Sequence, residues 1–75
     1  MFNLFNKDKK RYAKANRVKP NDKIRVQNIV AVIHNIWIGE EITFELWYHS
    51  YNGGRGSYMG TLTVPKNTKL ELYEN

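Results

Sequence analysis

The chain has 75 residues, carries 12 Lys and Arg against 7 Asp and Glu, and contains no cysteine. That length holds one small domain, which buries only roughly 60% of the surface its unfolded chain exposes. The lack of thiols excludes a disulfide framework and any cysteine-ligated metal, and no apolar stretch is long enough to span a bilayer.

The formal net charge of +5 points to an anionic partner, but it is unevenly spread. Residues 1–19 hold seven Lys and Arg against Asp8, a net +6, whereas residues 20–75 hold five against six carboxylates, a net −1. Attraction to a polyanion therefore has to run through the N-terminal arm or through a local patch. A small domain without disulfides or a signal-like apolar run fits the cytoplasm.

In chain order, residues 1–17 read as a basic arm, either flexible or a short helix, with Phe2, Leu4, Phe5 and Tyr12 as a thin apolar side. Pro20 followed by Asn21 and Asp22 is turn chemistry, and the folded domain is expected to span 18–75. Residues 23–26 alternate polar and apolar. The run at 29–33 is apolar on both parities, which requires either cover on both sides or a break in the strand at Gln27-Asn28 or at His34-Asn35. Ile36, Trp37 and Ile38 complete that strand, and Gly39, Glu40 and Glu41 turn the chain.

The clearest alternation is at 42–51. It assigns Ile42, Phe44, Leu46 and Tyr48 to the core, and it sends Trp47, His49 and Tyr51 outward in a row. A glycine loop at 52–57 carrying Arg55 leads to a strand at 58–64, with Tyr58, Gly60, Leu62 and Val64 on one parity. A turn at 65–68 precedes a last strand with Leu70 and Leu72 inward. Five short antiparallel strands in this span predict an all-β domain, a small five-stranded barrel or a strongly bent sheet.

The opening VKPNDKIRV and the ending TLTVPKNTKLELYE resemble those of Src-homology-3-like small β-barrels. Such barrels often begin with a turn and strand of the form "pGDkVrV" and end with a short helical turn before a final strand. Asn21 stands where the pattern has glycine. The resemblance covers roughly residues 18–74, implies a fold alone and carries over no site residues.

Nothing in the sequence specifies a reaction, and the expectation is a protein without enzymatic activity, cofactor or metal. His34 and His49 have no nearby acid in the chain to make a zinc site, and the 53–56 loop lacks the lysine and following helix of a phosphate loop. Outward aromatics on a sheet can instead stack bases. Trp47, His49 and Tyr51 are the candidates, with Arg55 near a phosphate and Lys9, Lys10, Arg11, Lys14 and Arg17 supplying attraction from the arm.

The leading expectation is thus a nucleic-acid-binding module. The alternative is a protein-interaction module that regulates or inhibits a larger protein, since Trp, Tyr and Arg also favour such interfaces, and a short chain of this composition suits a phage or mobile-element product. Intramolecular cover of Trp47 by the arm is a plainer use of the same rings. An anionic membrane surface ranks third, because the apolar part of the arm is too short to hold it. Pairing of sheet edges into a homo-oligomer, for instance along the strand ending in Tyr73, is a further option.

Overall fold

The structure is a computed structural model that describes residues 11–49 and 55–73, without the side chain of Arg55. Its strands are β1 (Arg11–Lys14), β2 (Lys23–Val26), β3 (Ile29–Ile38), β4 (Glu41–His49), β5 (Arg55–Pro65) and β6 (Lys69–Leu72). They form one antiparallel sheet of six strands in the order β1-β6-β2-β3-β4-β5. The all-β, antiparallel expectation holds. The expected five-stranded barrel gives way to a six-stranded sheet that is not closed, with β1 and β5 as its edges.

The sixth strand comes from the stretch assigned to the basic arm. Arg11, Tyr12, Ala13 and Lys14 pair with Leu72, Glu71, Leu70 and Lys69. Ala13 packs against the core, and the adjoining single 3₁₀ turn, Ala15–Arg17, buries Ala15. The amides of Ala15 and Asn16 donate to the carbonyls of Thr68 and Lys66 at 2.8 and 3.3 Å, which ties this segment to the β5–β6 turn. Small residues at 13 and 15 let the backbone approach closely. A run with no β-branched residue carries little strand signal of its own, so the pairing is a product of the partner strand. Lys9 and Lys10 lie outside the described residues, as do Tyr51 and the first part of the glycine loop.

The β2–β3 connection is a two-residue hairpin at Gln27 and Asn28, with φ of 49° and 70°. Positive φ at both central positions is the signature of a turn whose twist matches that of the flanking strands. It accounts for the broken alternation at 27–28. A second irregularity falls at His34, where the β3–β4 ladder shifts between Ile33 and Asn35. Both expected break points are therefore used, one as a turn and one as a bulge. Asn21 adopts a φ of 76°, a conformation that asparagine tolerates better than most residues.

The core lies on one face of the sheet. Ile24, Ala31, Ile33, Ile42, Phe44 and Leu46 are buried on β2, β3 and β4, and Ala15 and Val18 cover them from the N-terminal side. Ile36, Met59, Leu62, Val64, Leu70 and Leu72 complete the layer at its margins. Tyr48, expected in the core, is 41% exposed. It sits at the end of β4, opposite the small Ala31, where the β4–β5 ladder is irregular. Gly56 packs directly on its main chain. A Cβ added at Gly56 would stand 2.8 Å from the Tyr48 carbonyl oxygen, a separation that side chains do not reach without backbone movement.

Candidate nucleic-acid interface

The site is the face opposite the core, and two bulges shape it. On one side of Leu46, β3 spends an extra residue at His34. On the other, Gly60 pairs with Leu46 while Tyr58 pairs with Trp47, so β5 spends an extra residue at Met59. Each bulge reverses the parity of the strand beyond it. The β5 bulge turns Tyr58 from the core side, where strict alternation places it, to the side of Trp47. Gly60, with φ of 139°, supplies the backbone conformation beside it.

Trp47 consequently stands between two rings. His34 is 5.6 Å away at 59°, and Tyr58 is 5.8 Å away in an edge-to-face arrangement at 73°. The indole Nε1 donates to Glu45 Oε2 at 2.6 Å, while Asn35 Nδ2 donates to Glu45 Oε1 at 2.9 Å. One carboxylate thus satisfies the polar edge of the indole and fixes its orientation, aided by the β3 bulge that turns both His34 and Asn35 to this face. Tyr58, 55% exposed, is the open end of the cluster.

A second aromatic group lies on the same face. Tyr73, just past β6, approaches His49 with ring centroids 6.4 Å apart, and the Arg25 guanidinium carbon sits 5.3 Å from the centre of the Tyr73 ring. Arg25 also reaches Glu71 at 3.4 Å. Beside Tyr73 is a depression of about 220 Å³ lined by Asn21, Asp22, Lys23, Leu72 and Tyr73. Val30 and Val32 stand on β3 opposite Arg25 and Lys23 and form an apolar strip between the two ring groups.

The positive charge on this face is local. Lys23 and Arg25 flank the buried Ile24 and point away from the core. On β1 and β6, Lys14 is directly opposite Lys69, and both are exposed. Like charges directly opposed across a ladder are destabilising, and a bound anion relieves them. Tyr12, 55% exposed, lies opposite Glu71 on the same side.

Of the residues singled out in the sequence, Trp47 and His49 are on this face, each in contact with a ring from another strand. Lys14 joins them through β1. Arg11 shares the parity of Ala13 at the exposed edge, and Arg17 ends the 3₁₀ turn, exposed. The backbone of Arg55 pairs with His49. His34, Tyr58, Tyr73, Arg25, Lys23 and Lys69 are additional members. The alternation of 23–26 and 69–73 contains the signal for Lys23, Arg25 and Tyr73, whereas Tyr58 is hidden by the bulge. Among the described residues no group of three or more His, Asp or Glu is placed to hold a metal ion, and no helix is long and apolar enough to cross a membrane.

Compared with known proteins, the chain matches no family model, and no curated protein and no solved structure matches it significantly.

Proposed function

We propose that the protein is a binding module without catalytic activity that takes single-stranded nucleic acid across the outer face of its sheet. The observation that carries this reading is the sharing of one face by two ring groups and by cations that are close together. Trp47, Tyr58, His49 and Tyr73 offer stacking surface, worth about 1–3 kcal/mol per base. Lys23 and Arg25 offer phosphate contacts next to the Tyr73 group, and Lys14 opposite Lys69 adds a pair of cations towards the β1 edge of the same face. The electrostatic term therefore comes from a patch on the sheet as well as from the basic N-terminal stretch. The small all-β antiparallel domain is compatible with a Src-homology-3-like fold, which we take as the closest architectural reading, with β1 added and the sheet left open.

The test is fluorescence anisotropy with labelled single-stranded oligonucleotides across a salt series. Affinity should fall steeply with salt. The double substitution Lys14→Gln with Lys69→Gln should reduce the slope of log K against log salt by about 0.7 for each phosphate that is no longer neutralised. An absence of binding at low salt, or a slope indifferent to both lysines, would count against the interface.

A second reading, a protein-interaction module, is favoured by a different place. Trp37 is 53% exposed and Ile38 70%, on the outer and the core side respectively at the end of β3, next to Glu40 and Glu41 in the hairpin. Exposed tryptophan at a hairpin tip is an anchor of the kind protein partners bury. Ile38→Ser, on the core side opposite Ile42 and away from the outer face, should leave oligonucleotide binding intact and weaken capture of a protein partner if that reading is the right one.

A further inference from the structure

The outer edge of β5 is long and uncharged, and past the bulge at Met59 its register with β4 is regular from Gly60 to Pro65. The strand runs from Arg55 to Pro65, and positions 56–64 contain no charged residue and no proline. Among the described residues, no strand pairs with that edge. Sheet edges of this length usually carry a lysine, an inward charge or a proline that discourages pairing. The opposite edge does: β1 has four residues, two of them Arg11 and Lys14.

Past the bulge, β5 contains a short stretch, Thr61-Leu62-Thr63, that reads the same in both directions. Around Leu62 it reads Gly60-Thr61-Leu62-Thr63-Val64, so a two-fold axis through Leu62 places Thr61 opposite Thr63 of a second copy, and the reverse. The parity is consistent. Thr61 pairs with Glu45 and Thr63 with Thr43 on the outer side, while Leu62 pairs with the buried Phe44 on the core side. The Thr63 hydroxyl already shares a 2.8 Å hydrogen bond with that of Thr43. An antiparallel partner strand would extend that polar row with a further threonine. On the core side it would set Leu62 against Leu62, in line with Phe44 and Ile36 of each copy. Leu62 and Val64 are half-buried at the margin of a thin core, and this pairing would cover them.

We propose that the protein dimerises through β5, antiparallel, about a two-fold axis at Leu62, which joins two sheets into one. An isologous contact of this kind closes on itself and leaves β1 as the outer edge at both ends. The occupant is a second copy because the threonine–leucine–threonine order matches itself in this register. The proposal stands apart from nucleic-acid binding, since its readout is mass.

The test uses the full chain in sedimentation equilibrium without nucleic acid. The wild type should show a monomer–dimer equilibrium. Thr61→Lys with Thr63→Lys opposes like charges twice across the axis, and should weaken dimerisation roughly tenfold or more. Thr61→Lys with Thr63→Glu opposes unlike charges in this register alone, and should restore it. All four side chains point away from the core, and circular dichroism should confirm an intact fold in both variants. A wild type that is monomeric up to millimolar concentration overturns the proposal, as does a dimer indifferent to the double lysine variant. Loss in the first variant without recovery in the second overturns the axis at Leu62.

Discussion

The two faces of β4 differ by one residue of register and by almost everything else. Ile42, Phe44 and Leu46 are buried, and they are uniform, apolar and without polar contacts. Thr43, Glu45, Trp47 and His49 are all half-buried, and each holds a cross-strand contact to a hydroxyl, an amide or a ring. One face is stabilised by removal of area from water, which is indifferent to partner identity. The other is organised by directional contacts whose surface remains available. Stability and recognition are thus carried by opposite sides of a single strand, and substitutions should separate them.

The largest effect is expected on the core face. Phe44→Ala removes the largest fully buried side chain and should cost about 3–5 kcal/mol in denaturant unfolding, a large part of the stability of a domain this small. If the outer face is independent of the core, the residual folded fraction should still bind oligonucleotide with wild-type affinity. On the outer face, Tyr58→Ala should do the reverse. It should weaken oligonucleotide binding by about 1–3 kcal/mol, while the unfolding midpoint moves little, because the ring is more than half exposed. Equal losses in both measurements would show that the faces are not separable.

Gly60→Ala sharpens the comparison from the backbone. A Cβ there meets nothing within 4 Å, but a φ of 139° is one that an alanine adopts only with strain. A stability loss of about 1–2 kcal/mol is expected with no cavity and no clash. Displacement of Tyr58 should appear as a change in the near-ultraviolet circular dichroism of the Trp47–Tyr58 pair. The smallest effect lies at the β2–β3 turn, remote from either face. Replacing Gln27 by Asn and Asn28 by Gly supplies the residues that positive φ favours and should raise stability by about 0.5–1 kcal/mol, with binding unchanged.

Much of the fold is legible along the chain. β2 to β6 follow from alternation and turn residues, and the apolar run at 29–33 already demands the irregularities found at 27–28 and at 34. The places where local pattern misleads are informative. Tyr48 has core parity, yet it lies near the end of β4, where the β4–β5 ladder is irregular, and stays 41% exposed. Residues 11–14 lack the β-branched side chains that mark a strand and become one because β6 presents an edge. The candidate site is legible in part, through Trp47 and His49. Their ring partners His34, Tyr58 and Tyr73 come from other parts of the sheet and reach them through bulges or across it.

The sequence alone determined the all-β class, the uncharged core face of β4, the turn at Asn21 and the concentration of charge before residue 20, because each depends on neighbours one to four positions away. Tertiary structure decided the order of the strands, which of them stand at the edges among the described residues, and the company kept by Trp47. Those depend on which strands meet and in what register, and a single inserted residue in a ladder is enough to turn a side chain from the core to the surface.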